Sequence, residues 1–286
     1  MTSPSYDLFR PARQTTSTIF ASPHSGRDYP ADMMDRTSLD RLQVRSSEDA
    51  FVDQLFACAP EFGAPLLCSR APRAYVDLNR GAEELDPAVV DGVRRRGHNP
   101  RVASGLGVIP RVVAGGRPLY QGKLSLAEAE SRLARCWHPY HDTLQTLLNE
   151  SLGLFGEAIL IDCHSMPHEA LDGVARNAGR RPEVVIGDRF GASIDSFLVE
   201  RIEAAFSAAG LVVVRNAPFA GAYVTQHYGR PSRRQHAVQI EIDRSIYMDE
   251  ARIEPRADFE DFAAVIRAVV AEITQLGRSD VPLAAE

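Results

Sequence analysis

The chain has 286 residues, 44% hydrophobic and 24% charged, which is ample for the core of one large globular domain. A formal net charge of −6 with a pI near 5.8 gives no global attraction for nucleic acid or an anionic membrane, and no apolar run approaches the roughly 20 residues that span a bilayer. The first residues lack the pattern of a signal peptide, and Cys58, Cys68, Cys136 and Cys163 show no CxxC spacing, so a cytoplasmic protein without a zinc ribbon or thioredoxin motif is expected.

In chain order, residues 17–21 read as a strand and 48–62 as a helix, with an apolar stripe at Phe51, Val52, Leu55, Phe56 and Ala59 and the acidic pair Glu48-Asp49 at its start. Two short strands are predicted at 65–68 and 74–78, as antiparallel edges. A stretch rich in Gly, Pro and Arg runs from there to about 121 and is read as an excursion over the site. Ser125-Leu126-Ala127-Glu128 resembles a capping box and opens a long helix to about 152. Strands at 158–163, 183–186, 211–215 and 236–242 alternate with a helix at 193–208, an irregular stretch at 216–229 and a closing amphipathic helix at 258–276. This alternation predicts an α/β fold in a single domain over 1–286, a mixed, mostly parallel sheet sandwiched by helices.

Chemistry-bearing residues gather at the predicted strand ends. His24 follows the first strand and His164 follows the run 158–163, each within turn formers, and Glu48-Asp49 lies between them in sequence. Either histidine alone reads as an ordinary loop residue. Together they are the layout of a mononuclear metal site, because side chains just past the C-terminal ends of buried strands face the crevice where open α/β sheets bind ligands. Two imidazoles and one carboxylate leave zinc a position for water.

On the strand 236–242, alternation places Gln239, Glu241 and Asp243 on one face. That face is either solvated or lines a crevice, where Glu241 would act as general base. Arg70, Arg73 and Arg80 surround one strand and suit a small anionic substrate, whereas Arg94-Arg95-Arg96 reads as a solvated face. Asn79-Arg80 is either an anion clamp or a surface ion pair. His138 and His141, one turn apart, read as helix packing or support. No G-x-S-x-G serine motif and no nucleotide-binding glycine pattern is present.

Pro23-His24-Ser25-Gly26, Glu48-Asp49, Tyr75-Val76-Asp77-Leu78-Asn79-Arg80, Asp162-Cys163-His164-Ser165, Pro218-Phe219-Ala220-Gly221-Ala222-Tyr223 and Gln239-Ile240-Glu241-Ile242-Asp243-Arg244-Ser245-Ile246-Tyr247-Met248 resemble, in that order, the blocks of N-formylglutamate amidohydrolases. The resemblance spans about 17–275. It implies kinship with zinc carboxypeptidases and aspartoacylases, whose fold is an eight-stranded mixed sheet between helices. It further implies His24, His164 and Asp49 as ligands of one zinc ion, with Glu48 the other choice for the acid. Arg73 would lie near the scissile carbonyl, Asn79 and Arg80 would grip a substrate carboxylate, and Glu241 would be the general base. The chain departs from the pattern twice: Asp49 stands 25 positions after His24 where the carboxypeptidases leave three, and Gly221-Ala222-Tyr223 replaces Gly-Gly-Tyr.

The expected activity is zinc-dependent hydrolysis of a small N-acyl amino acid, most simply N-formyl-L-glutamate, with neither nucleic acid nor membrane as partner. The alternatives are an aspartoacylase-like or carboxypeptidase-like amidase for another acyl group, and a zinc-containing binding protein without turnover. Glu241 favours an enzyme, because a silent descendant needs no base.

Overall fold

The computed structural model describes residues 4–94, 97, 99–174 and 179–278. Seven strands form the central sheet: β1 (Tyr6–Phe9), β2 (Thr18–Ser22), β3 (Leu66–Ser69), β4 (Ala158–Met166), β5 (Val184–Gly187), β6 (Val213–Arg215) and β7 (Gln235–Asp243). Their order across the sheet is β1-β3-β2-β4-β7-β5-β6. β3, β2, β4 and β7 run parallel, and β6 runs parallel to β5. The antiparallel pairings are β1 with β3 and β5 with β7. The sheet is thus mixed and mostly parallel, with seven strands among the described residues and not eight.

Alternation along the two central strands decides what lies on each side. Ile159, Ile161 and Cys163 of β4 and Val238, Ile240 and Ile242 of β7 enter one core, packed with α2 (Ser196–Ala208) and α4 (Phe259–Leu276). Ala158 and Leu160 of β4 and Ala237 of β7 enter the other core, under α1 (His138–Phe155). Two residues further on, this second face becomes polar, with Asp162 and His164 on β4 and Gln239, Glu241 and Asp243 on β7. A buried face that turns polar toward the strand C-termini is where a parallel sheet builds a site.

Four local expectations need correction. Residues 48–62 do not form one helix: Val52–Leu55 is a single helical turn, Ala59–Phe62 a 3-10 turn, and Glu48 and Asp49 lie in the loop before them. Phe51 interrupts the helix with a left-handed φ of 67°, a conformation costing about 1–2 kcal/mol in an L-residue, and the Asp49 N–H donates to the His24 carbonyl at 3.1 Å. Residues 74–78 are turns held by the Pro72 carbonyl and by Asp77 N–H donating to Val108 O. The strand at 65–68 exists but is parallel to β2; the antiparallel edge on that side is β1, which was not expected. Finally, the stretch 216–229 contains a helix, α3 (Tyr223–Tyr228).

Among the described residues the excursion after Arg80 carries only short elements, Pro100–Ala103, Val112–Val113, a 3-10 turn at Ala114–Gly116 and Arg117–Pro118. Of the arginine triplet, Arg94 is exposed while Arg95 and Arg96 lie outside the described residues. The Ser125 hydroxyl accepts from Glu128 N–H and starts a helix at Leu126–Arg132, which passes through a π-helical turn at Leu133–Trp137 into α1. Gly156, at φ 68°, ends it. Among the described residues no helix is long and apolar enough to cross a membrane.

Candidate metal centre

His24 lies two residues past β2, in a turn that must pass close to the 70–71 backbone. A Cβ on Gly26 would collide with the Ala71 carbonyl, so only glycine lets the chain follow that path. His164 sits within β4, in register with Glu241 of β7. Asp49 comes from the loop before Phe51. The three side chains are buried, and one ligand atom from each lies within 4.8 Å of the others. Asp49 Oδ2 is 3.0 Å from His164 Nδ1 and 3.4 Å from His24 Nδ1.

The outer nitrogens of both rings face carboxylates. His24 Nε2 lies 2.7 Å from Asp77 Oδ1, and His164 Nε2 lies 3.0 Å from Asp162 Oδ2, an ionic approach and not an aligned hydrogen bond. The carboxylate on His24 Nε2 favours a proton there and leaves the Nδ1 lone pair pointing inward, the usual support of a metal-binding imidazole, whereas His164 hydrogen-bonds Asp49 Oδ2 through Nδ1 in the metal-free chain and has Asn79 Nδ2 3.3 Å from its Nε2. His24 Nδ1 is buried without a hydrogen-bond partner, a loss of about 1–3 kcal/mol for a polar atom left unmade. An orphaned nitrogen converging on a second imidazole and a carboxylate fits a divalent cation.

Electrostatics point the same way. Burial pushes the Asp49 carboxyl up, but the imidazoles of His164 and His24 and the Arg73 guanidinium outweigh it and hold it well below the usual carboxylate range. Burial likewise opposes charge on His164, yet Asp162, Asp49 and Glu241 hold its pKa well above the ordinary value in the metal-free chain. Glu48 is turned away: Tyr29 Oη donates to it at 2.6 Å, and Arg45 forks onto both its oxygens at 2.9 and 3.0 Å. Asp49 is therefore the acid that faces the histidines.

Glu241 occupies the polar face beside His164, its Oε1 accepting from Gln239 Nε2 at 2.8 Å. Burial pushes its carboxyl up to about 7; His164, Arg73 and Arg244 pull it down and Asp49 adds to the rise. Arg73 Nη2 donates to Asp77 Oδ2 at 3.1 Å, and its Nη1 approaches Asp49 Oδ1 at 3.6 Å. Arg70 does not join them, pairing instead with exposed Asp28. Three residues at the centre were not assigned a role from sequence: Asp77 behind His24, Asp162 behind His164 and Arg244, whose Nη2 donates to Asp49 Oδ1 at 2.9 Å. All three stand inside the motif blocks quoted above, which was the signal available.

Asn79 and Arg80 are held from several sides. Asn79 Oδ1 accepts from Val224 N–H at the start of α3, and its Nδ2 donates to Gln239 Oε1. Arg80 Nε and Nη1 donate to the carbonyls of Leu106 and Asn79, while Nη2 has no hydrogen-bond partner among the described residues. Trp137 Nε1 donates to Arg80 O, and His141 bridges Leu78 O and the Tyr228 hydroxyl. His141 is thus a buried support, as expected. His138, expected alongside it as helix packing or support, is instead exposed, with an edge contact to Trp137. Tyr223 stacks on His227 and tilts against Trp137.

Burial pushes the His141 imidazole from its ordinary 6.5 down to about 3, so it stays neutral in the folded chain. The unfolded chain binds the extra proton between those values, so this residue makes stability rise with pH from about 3 to 6.5 and fall on acidification. His141→Gln is expected to flatten the slope of unfolding free energy against pH in that window, measured by urea titration. Equal slopes in the two proteins would refute it.

A sheet between helices, carrying a buried His-Asp-His group beside a carboxylate at its C-terminal edge, defines the class of α/β proteins with a metallohydrolase-type centre. A family model described as N-formylglutamate amidohydrolase matches residues 16–248. The N-formylglutamate deformylase of Pseudomonas aeruginosa is 34% identical over 266 residues, covering 90% of this chain and 91% of the relative. That of Pseudomonas putida is 30% identical over 264 residues, covering 90% of each. The crystal structure of N-formylglutamate amidohydrolase from Ralstonia eutropha JMP134 superposes with a TM-score of 0.89 at 30% identity, over 96% of this chain and 99% of that one. The chain belongs to the N-formylglutamate amidohydrolase family.

Proposed function

We propose that residues 1–286 form one catalytic domain that hydrolyses N-formyl-L-glutamate to L-glutamate and formate, with zinc bound by His24 Nδ1, Asp49 Oδ2 and His164 Nδ1. Family membership and the names of the relatives support the substrate. The observation that carries the chemistry is Glu241, a buried carboxylate raised to about 7 and in register with His164. A general base works best with its pKa near the operating pH. Four unpaired thiols suit a reducing, cytoplasmic setting.

Zinc bound there supplies Lewis-acid polarisation of the amide carbonyl and lowers the pKa of water. Glu241 takes a proton from the attacking water as the bond to the formyl carbon forms. It then returns that proton to the departing nitrogen, so that formate and the free amine leave together. Arg73 faces the oxyanion that develops; donors of this kind are worth roughly 3–4 kcal/mol in measured systems. Arg80 offers Nη2 to a substrate carboxylate and Asn79 sets the wall beside it, so that binding energy far from the amide orients the reacting bond.

The test is a panel of N-formyl, N-acetyl and N-succinyl amino acids assayed for amine release by zinc-loaded protein. N-formyl-L-glutamate should give the highest kcat/KM, and a clear preference for an N-acetyl or N-succinyl substrate would refute the assignment. Arg80→Ala should raise KM and narrow the preference for N-formylglutamate over formyl amides without a matching carboxylate. Equal loss on both substrate types would make Arg80 a support of the Leu106 and Asn79 carbonyls alone.

A further inference from the structure

We propose that Arg244 is a positioning residue for the metal centre: it holds Asp49 Oδ1 and so leaves Oδ2 alone to face the two imidazoles. This rests on the reading of His24, Asp49 and His164 as the metal ligands. The Asp49 carboxylate is fully buried and its two oxygens have different surroundings. Oδ2 lies 3.0 and 3.4 Å from the Nδ1 atoms of His164 and His24. Oδ1 accepts from Arg244 Nη2 at 2.9 Å and has Arg73 Nη1 at 3.6 Å.

The Arg244 guanidinium is itself anchored. Its Nε donates to Ser165 Oγ at 3.2 Å, and its Nη1 to Ser46 O at 3.4 Å. It leaves the chain just beyond β7, reaches the residue after His164 in β4, and grips the 46–49 loop at both ends. That loop, like the turn carrying His24 just past β2, lies outside the sheet, and of the three ligands Asp49 stands farthest in sequence from a strand of it. An unrestrained carboxylate can offer a metal either oxygen or both. Turning Asp49 to present Oδ1 would break a charge-assisted hydrogen bond and strand a buried cation, so the alternatives are disfavoured.

Filling space does not account for the side chain, since it also borders a cavity of about 400 Å³ shared with Ser46, Glu48 and His168. Acceptors on three residues, Ser165 with both its hydroxyl and its carbonyl, Ser46 and Asp49, require a planar fork. A lysine ammonium reaches such a set less completely.

The experiment loads wild type, Arg244→Met and Arg244→Lys with Co²⁺, measures affinity by competition with a chromogenic chelator, and records the visible absorption spectrum. Thermal unfolding of the metal-free chains is followed alongside. Arg244→Met is expected to bind Co²⁺ roughly ten- to a hundred-fold more weakly, the usual scale for partners of metal ligands, with an altered spectrum because Asp49 is free to turn. Arg244→Lys should fall between. Wild-type affinity and spectrum in both variants overturns the proposal, as does weaker binding with an unchanged spectrum, which would mark a purely structural role. If Arg244→Met does not fold, Arg244→Lys decides by the same two readouts. A wild-type chain that binds Co²⁺ yet leaves N-formyl-L-glutamate intact removes the proposed function and leaves this inference standing.

Discussion

Glu241→Gln is expected to retain about one metal ion per chain while kcat falls by roughly two to four orders of magnitude, the usual scale of general-base catalysis. The substitution is nearly isosteric, and its remaining carbonyl oxygen can still accept from Gln239 Nε2, the partner of Glu241 Oε1 in the native chain. What it removes is a group able to take a proton. The steady-state rate on N-formyl-L-glutamate and the metal content of the same preparation check the expectation. A kcat within tenfold of wild type would take the proton transfer away from Glu241.

The second large effect is loss of metal from His24→Ala and His164→Ala, read as metal per folded chain. Each removes one of three ligand atoms from a group that has no fourth His, Cys, Asp or Glu among the described residues. The two variants should differ in stability. Asp77 behind His24 keeps hydrogen bonds from Arg73 Nη2 and the Asn79 N–H. Asp162 behind His164 has no hydrogen-bonded partner and is fully buried. Removing one partner of a buried charge pair costs about 3–5 kcal/mol, so His164→Ala should melt well below His24→Ala when both are metal-free. Metal content near one per chain in either variant would displace that histidine from the centre.

What could be read in the sequence depended on how local the cause was. β2, β4 and β7 are apolar, β-branched runs stopped by polar residues, and alternation alone put Glu241, Gln239 and Asp243 on one face. His24 and His164 follow from the same runs. The delivery of Asp49 does not, because Phe51, Val52, Leu55 and Phe56 have helical spacing while tertiary bonds hold the chain away, Asp49 N–H to His24 O, Arg244 to Ser46 O and Asp49, and the Tyr247 hydroxyl to Ala50 O. Residues 74–78 carry strand-like side chains, yet Tyr75 and Val76 turn onto the Pro72 carbonyl and Asp77 N–H bonds Val108, far along the chain. The Arg244 to Asp49 contact joins residues 195 positions apart, beyond any local pattern. The antiparallel edge β1 alternates half-buried and exposed residues through Tyr6–Phe9 in the structure, but the exposed position at its end is the apolar Phe9, so the sequence does not alternate, and the segment is too short to stand out.

The pairing of β4 with β7 over nine residues has a consequence for how this fold can diversify. His164 and Glu241 are register partners at the middle of the sheet, so their separation is set by backbone hydrogen bonding and not by any loop. The residues that would meet the rest of a substrate stand elsewhere, on the turn at 77–80, the excursion beyond it and α3. The turn at 77–80 is itself buried, but insertions and exchanges in the exposed parts of the excursion are tolerated far better than changes in a buried strand. Descendants of this chain can therefore trade one acyl amino acid for another while the proposed proton path through Glu241 stays where the sheet put it.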